Sequence, residues 1–263
     1  MTGNVALIAP FPTEDTGDFM EPMAQWEKVF SKRHQAREKA LEAESQKNAS
    51  DFQGKGPLKR ERDDDGGIDE EFDIGEPPAK YIAKPNPFKI RSIRLDGSKY
   101  KVQQDKEFVK KLLDGGDSIY ILGHCEPGSA ELSSEGDFTS GVKATVDDVA
   151  KLLATTLELS KDFAGKIKVF GCYSGLSKVT GEQSFASRLK TKMHEDGYLN
   201  CRFFGYTAMV SAYDEEHKLA FVGDEQTEQL IRVAYQQKYI KRKQALKAYN
   251  KFVKRPSEIR VEV

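Results

Sequence analysis

The sequence has few cysteines, no long apolar run and almost no net charge, and each absence excludes a class of protein. Its three cysteines, Cys125, Cys172 and Cys201, include no CxxC pair and are too few for a disulfide framework, which indicates free thiols in a reducing compartment. No apolar stretch approaches the roughly 18 to 20 residues that span a bilayer, and the N-terminus lacks the basic and apolar segments of a cleaved signal peptide. A formal charge of −1 gives no global attraction to nucleic acid. We therefore predict a protein without a transmembrane segment, either cytoplasmic or secreted without a cleaved signal peptide, and do not expect nucleic acid as its partner.

Polarity is unevenly distributed along the 263 residues. The chain is long enough for one domain with a full core, yet its mean hydropathy of −0.62 is low for a compact domain. Residues 1–80 are predicted to be a largely disordered polar arm with one short helix near residues 20–43, because their composition cannot offset the chain entropy. A folded domain is predicted over residues 81–228, followed by a basic C-terminal helix and tail over residues 229–263.

Two short apolar runs, residues 119–123 and 167–171, each end immediately before a reactive side chain. A helical pattern capped by Thr145 lies between them, so this segment predicts strand, helix, strand. Strands joined by such a crossover lie side by side and parallel. His124 follows the first strand and Cys172 follows the second, so we expect both side chains at the carboxyl edge of one sheet, where open α/β folds place their ligands.

A thiol beside an imidazole is a nucleophile with its base. Cysteine reacts as the thiolate, and the imidazole of His124 can promote that form. The turn after Cys172 is predicted to direct backbone N–H groups at the sulfur and at the oxyanion of a tetrahedral intermediate. Gly171 and Gly175 are expected to leave room for a substrate backbone. The pattern therefore predicts a cysteine endopeptidase.

Two other interpretations of these side chains remain open. A cysteine at the end of a core strand is also typical of plain packing, because cysteine is among the most buried residue types. His124, Cys125 and Cys172 are three potential metal ligands, but no fourth ligand stands at the usual spacing, and we predict no metal site. Cys125 and Cys201 are interpreted as structural residues.

Other elements are predicted from alternation, turns and caps. Residues 88–95 and 99–102 are predicted to form a β-hairpin around an Asp-Gly turn, and Asp105 is predicted to cap the helix that follows. The loop over residues 126–143 is long enough for a flexible lid. Thr180 begins a Thr-x-x-Gln capping box.

The C-terminal third is predicted to contain a strand, a hairpin and a basic helix. Residues 202–212 indicate a third buried strand, and residues 213–222 a hairpin that leaves it. Residues 229–257 hold nine basic side chains and no acidic one, with apolar residues interleaved, which predicts one long amphipathic helix. Such a positive face is often only solvated, but it also suits an inositol polyphosphate or an acidic lipid.

The order of these motifs resembles that of the caspase-like (clan CD) cysteine peptidases. Their pattern is an apolar strand ending in His-Gly and a later one ending in Gly-Cys or Ala-Cys, and this chain has Leu122-Gly123-His124 and Val169-Phe170-Gly171-Cys172. The resemblance covers about residues 88–225. It is closest to the autoprocessing cysteine protease domains of multifunctional autoprocessing repeats-in-toxin proteins and large clostridial toxins.

The resemblance implies an α/β fold: a caspase-like three-layer sandwich with a mostly parallel central sheet, flanking helices and a β-hairpin flap. It implies His124 as general acid/base, Cys172 as nucleophile and cleavage after leucine or another apolar residue, with Asp96 as a candidate to orient His124. Backbone groups of Gly123, Cys125 and Gly171 are the candidates to bind the oxyanion. Cys125 is a departure, because the family has glycine after the histidine.

The resemblance also implies inositol hexakisphosphate as an allosteric activator, although the chemistry itself requires no cofactor. The hairpin that is basic in the family is mostly acidic here, so the candidate ligands are other basic residues: Arg202, Arg232, Lys238, Lys241, Arg242 and Lys243. A stand-alone effector or toxin protease that cleaves a host protein, or itself near Leu58, fits this picture. The alternative is a catalytically inactive binding module that acts through its basic C-terminal helix.

Overall fold

The computed structural model describes residues 3–12, 89–95, 99–113, 115–136, 141–211, 219–222, 227 and 251–263, with separate positions between 23 and 46. Its described strands are β1 (Val5–Pro12), β2 (Ile90–Leu95), β3 (Ser118–Leu122), β4 (Glu131–Ser133), β5 (Lys143–Thr145), β6 (Lys166–Phe170), β7 (Arg202–Tyr206), β8 (Met209–Ser211), β9 (Leu219–Phe221), β10 (Val253–Lys254) and β11 (Arg260–Glu262). Its described α-helices are α1 (Lys99–Val109), α2 (Val146–Lys151) and α3 (Phe185–Glu195).

Within the described residues, six strands form the main sheet in the order β11-β7-β6-β3-β1-β2. The five strands from β7 to β2 are parallel, and β11 runs antiparallel along the outer edge of β7. All five residues of β3 and the last four of β6 are buried, which is typical of strands covered on both faces. The predicted α/β fold with a mostly parallel central sheet and helices is therefore confirmed, whereas the specific caspase-like arrangement stays a prediction.

The core lies on both faces of the inner strands. Ile121 and Leu189 belong to one large buried cluster that joins β3 and α3. On the opposite face, the ring of Trp26 stands edge-on to the rings of Tyr120 and Phe170, with centroids 5.5 and 4.5 Å away. Burial of these large side chains is the main favourable term that holds β3 and β6 in the middle of the sheet.

The crossover between β3 and β6 begins as predicted. The Thr145 hydroxyl accepts the N–H of Asp148 at 3.1 Å, and the Asp148 carboxylate accepts the N–H of Thr145 at 3.0 Å. This capping box satisfies two backbone donors at the start of α2. The helix then continues into a π-helical turn, Leu152–Thr156.

Strand β1 corrects the prediction that residues 1–80 are a polar arm. Strand β1 lies between β2 and β3, residues 5–11 of it are buried, and Ile8 lies opposite both Ile93 and Ile121. The acidic stretch that dominates the average composition of the arm conceals this short apolar run. Residues 47–80 of the predicted arm lie outside the described residues, and the described positions between 23 and 46 are helical.

The predicted hairpin after residue 88 is wrong in its second half. Ile90–Leu95 is a strand, but it pairs in parallel with β1, and Lys99–Val102 forms the first turn of α1. Asp105 lies inside that helix rather than at its cap, and its buried carboxylate accepts a hydrogen bond from Arg91. An alternating Lys-Tyr-Lys-Val sequence suits a strand locally, but the apolar spacing that continues to Val109 favours a helix. Asp96, the candidate to orient His124, lies outside the described residues.

Two later boundaries also differ from the predictions. Helix α3 is capped by the Ser184 hydroxyl and not by Thr180, because the buried stripe of the helix begins at Phe185. The predicted strand over residues 202–212 is broken into β7 and β8, and β8 pairs antiparallel with β9. Of the predicted hairpin over residues 213–222, strand β9 lies among the described residues, whereas residues 212–218 lie outside the described part of the chain.

The C-terminal end was predicted to be helical, but its described residues do not continue an α-helix. Strand β10 pairs with β9, Pro256–Glu258 forms a 3₁₀ turn, and β11 completes the edge of the main sheet. Proline at position 256 cannot donate a helical hydrogen bond and disfavours helix in the residue before it. Residues 228–250, most of the predicted helix, lie outside the described residues.

Candidate active site

His124 and Cys172 lie at equivalent positions beyond two neighbouring parallel strands. Leu122, the last residue of β3, is the register partner of Phe170, the last residue of β6. Each candidate side chain follows two residues later. The predicted placement of both residues at the same carboxyl rim is therefore confirmed, and this rim is where parallel sheets gather functional groups.

The backbone of His124 is held by the β4–β5 hairpin. Its N–H donates to the Ser133 carbonyl and its carbonyl accepts the Ser133 N–H, both at 2.9 Å. Gly136 lies close to the His124 imidazole, since a Cβ atom there would lie 3.7 Å from Cε1 of the ring. Part of the predicted lid over residues 126–143 is therefore a paired strand that fixes the histidine, and residues 137–140 lie outside the described part.

Cys172 differs from the other two cysteines in its access to solvent. Its side chain is half-buried, whereas Cys125 and Cys201 expose only 3% and 5% of their surface. The N–H of Val210, in β8, donates to the Cys172 sulfur at 3.4 Å, and the Cys172 thiol donates to the carbonyl oxygen of the same residue at 3.7 Å. The bond from the N–H favours the thiolate and the bond to the carbonyl favours the thiol, but a thiol is the weaker donor of the two.

The turn after Cys172 does not direct its N–H groups at the sulfur, which corrects the prediction. Tyr173 donates to the Ala208 carbonyl at 3.2 Å, Ser174 to the Gly171 carbonyl at 3.3 Å, and Gly175 to the Tyr206 carbonyl at 2.9 Å. These donors are bonded within the protein, because the turn pairs with the chain that leaves β7.

The glycines beside His124 and Cys172 serve packing rather than substrate access. A Cβ atom on Gly171 would lie 2.5 Å from the Gly123 carbonyl oxygen, and one on Gly175 would lie 2.8 Å from the Gly205 carbonyl carbon. Gly123 is also restricted, since its own Cβ would lie 2.8 Å from Leu132. The space expected for a substrate backbone at Gly171 and Gly175 is thus filled by the protein, and the N–H of Gly123 donates to Phe170 at 3.5 Å.

The two buried cysteines are poor nucleophiles. Burial, together with the nearby Cys172 and Glu126, raises the pKa of Cys125 to about 12. Burial raises the pKa of Cys201 to about 11. Both therefore remain thiols at neutral pH, which agrees with their interpretation as structural residues.

A group of basic side chains lies on one face of the sheet near its β11 edge. Lys168 is buried there, and its ammonium donates to the Tyr120 hydroxyl at 2.9 Å and to the Ser118 hydroxyl at 3.3 Å. Burial, with the charges of Arg260 and Lys166 adding to it, lowers the pKa of Lys168 to about 7. Like charges gathered at one place are the arrangement that a polyanion requires.

Of the six residues that were predicted to bind a polyphosphate, one lies among the described residues. Arg202 forms a bidentate ion pair with Glu262, with 2.8 Å between Nε and Oε1, so its charge is already matched. The other five, Arg232, Lys238, Lys241, Arg242 and Lys243, lie outside the described residues.

Sequence reasoning missed the residues that hold His124 and Cys172 in place. Ser133 and Val210 act through their backbones, so no side-chain pattern marks them. Ser174 is fully buried next to the cysteine, and its position two residues after Cys172 is the one signal that could have found it.

Among the described residues, no group of three or more His, Cys, Asp or Glu side chains is arranged to hold a metal ion. None of the helices in the described ranges has the length and apolar character needed to cross a bilayer. Comparison of the chain with protein-family models, with curated proteins and with solved structures found no match.

Proposed function

We propose that this chain is a cysteine endopeptidase in which Cys172 is the nucleophile and His124 is the general acid/base. The observation that carries the proposal is the placement of both residues at matching positions beyond two adjacent parallel strands. The half-buried state of Cys172 supports it, since a nucleophile must be reached by its substrate. A caspase-like architecture is part of the same proposal.

The chemistry follows from these two side chains. His124 takes the thiol proton of Cys172, and the sulfur attacks the scissile carbonyl carbon to give a tetrahedral intermediate. His124 then protonates the leaving amine, which leaves a thioester that a water molecule, deprotonated by His124, hydrolyses. Because Gly123 already donates to Phe170, the proposal keeps the backbones of Cys125 and Gly171 as the oxyanion donors.

Strand β8 lies beside the proposed nucleophile. Its residues Met209 and Ser211 are the register partners of Phe221 and Leu219 in β9, and on its other side the N–H and carbonyl of Val210 contact the Cys172 sulfur. In line with the resemblance to the caspase-like peptidases, the proposed substrate is a protein segment with leucine or another apolar residue before the cut, in a host protein or in this chain itself.

A peptide electrophile that ends in leucine tests the proposal directly. At neutral pH it is expected to modify Cys172 and to leave Cys125 and Cys201 intact, because both buried thiols are protonated. His124→Ala is expected to slow the modification by about a hundredfold, as removal of a general base does. Mass spectrometry of peptides from the native protein measures the site, and urea-unfolded protein, in which all three thiols react, is the control. Equal labelling of Cys201 in the native protein would refute the assignment.

We also propose that an inositol polyphosphate activates the enzyme by binding the basic face around Lys168. Lys166 and Arg260 would hold its phosphates, beside the ion pair of Arg202 with Glu262. Arg202 would bind the ligand only after its ion pair with Glu262 breaks.

Addition of inositol hexakisphosphate is expected to raise the thermal unfolding midpoint by a few degrees, roughly the shift that about 1 kcal/mol gives in a domain of this size. Arg260→Gln should reduce the shift, whereas Lys178→Gln, a change at an exposed lysine in the loop after Cys172, should not. Sulfate at equal ionic strength serves as the second control. No shift with the hexakisphosphate removes the activator from the proposal.

A further inference from the structure

The segment after Cys172 forms a short ladder with the chain that leaves β7. The Gly175 N–H donates to the Tyr206 carbonyl and the Tyr173 N–H donates to the Ala208 carbonyl, at 2.9 and 3.2 Å. At the next step the direction reverses, and the Val210 N–H donates to the Cys172 sulfur at 3.4 Å. The sulfur thus accepts the last hydrogen bond of this ladder, and its position depends on the two backbone hydrogen bonds before it.

The ladder is anchored at its base by Ser174. Its fully buried hydroxyl donates to the Val169 carbonyl in β6 at 2.7 Å and accepts the Tyr206 N–H at the end of β7 at 3.1 Å. Its carbonyl accepts the N–H of Ala186 in the first turn of α3 at 3.0 Å. One residue therefore ties the turn to two strands and a helix.

Two further features show that this turn needs an anchor. Tyr173, between the cysteine and Ser174, has a φ of 57°, a left-handed conformation that costs a non-glycine residue free energy. The turn also lies directly against β7, since a Cβ atom on Gly205 would lie 2.5 Å from both the Cα and the nitrogen of Gly175. A strained residue in so close a contact persists only where the surrounding structure holds it.

We propose that Ser174 is a positioning residue. It keeps the Cys172 sulfur within hydrogen-bond distance of the Val210 N–H, and so keeps the thiolate available at neutral pH. This inference rests on the proposed function, because it assigns a task to the surroundings of the same nucleophile. Without the hydroxyl, the Val169 carbonyl and the Tyr206 N–H lose their buried partner, and the turn moves to find others. The sulfur then leaves the Val210 N–H, which favours the thiol.

The test is the pH profile of iodoacetamide alkylation at Cys172, followed by mass spectrometry. Ser174→Ala is expected to move the midpoint of the profile upward by about one pH unit, the effect of one lost hydrogen bond to a charged group. The matched control is Ser118→Ala, which also removes a buried hydroxyl but at the amino end of β3. It should leave the midpoint unchanged, while circular dichroism confirms that both variants fold.

If Ser174→Ala does not fold, Tyr173→Gly with Ser174→Ala is compared with Tyr173→Gly alone, because glycine adopts the left-handed conformation without strain. An upward shift in the double variant supports the anchor in the same way. An unchanged midpoint without the Ser174 hydroxyl, or an equal shift in Ser118→Ala, overturns it. Wild-type Cys172 that reacts no faster than Cys201 would instead refute the proposed nucleophile, so the two failures are distinguishable.

Discussion

Replacement of Cys172 by alanine is expected to lower kcat/KM for a leucine-containing fluorogenic peptide by about 10³-fold or more, because no other thiol can form the thioester. His124→Ala is expected to lower it by about 10²- to 10⁴-fold, the usual contribution of a general acid/base. A thousandfold loss corresponds to about 4 kcal/mol of transition-state stabilisation. Steady-state hydrolysis with both purified variants measures these effects, and unchanged thermal unfolding would show that the fold is intact.

Cys201→Ala is the matched control for the first change. It removes a buried thiol at the start of β7, at the rim opposite the dyad, and should leave hydrolysis unchanged. The double variant of Cys172 and His124 should be about as inactive as Cys172→Ala, because the two residues act in one step. Activity that survives in Cys172→Ala would mean that the reaction uses another nucleophile, and the assignment of the site would fail.

Ile8→Ala is expected to destabilise the protein by about 2–5 kcal/mol, the range for truncation of a fully buried aliphatic side chain. Ile8 lies in β1, where Ile93 and Ile121 are its register partners in the two neighbouring strands. Removal of its outer carbons leaves a cavity between elements that cannot close over it. Urea unfolding followed by circular dichroism measures the change in the free energy of unfolding.

The control for this stability effect is Leu199→Ala, whose side chain is 68% exposed in the loop before β7. We expect a change within about 0.5 kcal/mol, as for most surface positions. If Ile8→Ala were as mild as Leu199→Ala, the N-terminal segment would not be part of the folded sheet in solution. The comparison therefore tests the strand that composition had concealed.

The strands that carry the dyad could be predicted because their signals are local and strong. Residues 119–122 form a continuous apolar run, residues 167–170 are apolar except for Lys168, and Thr145 begins the crossover with a complete capping box. A parallel pair follows from the handedness and length of that connection. Residues 99–102 taken alone fit either a strand or a helix, and only the apolar spacing that continues to Val109 favours a helix.

The last rung beside the sulfur could not be predicted from residue types. The donor is the backbone N–H of Val210, which any residue other than proline would offer at that position. Its approach to Cys172 depends on the break between β7 and β8 and on the contact between Gly175 and Gly205, which are 30 positions apart in sequence. Such contacts depend on how distant segments pack against one another, and the sequence near Cys172 does not indicate them.

The amino-acid sequence by itself determined which strands precede His124 and Cys172, because apolar periodicity and helix caps are read over a few neighbouring residues. Only the tertiary structure decided that Val5–Pro12 is an inner strand, that Arg260–Glu262 closes the sheet, and that a buried serine anchors the turn after Cys172. The physical reason is that strand order and backbone donors depend on distant parts of the chain competing for the same buried partners.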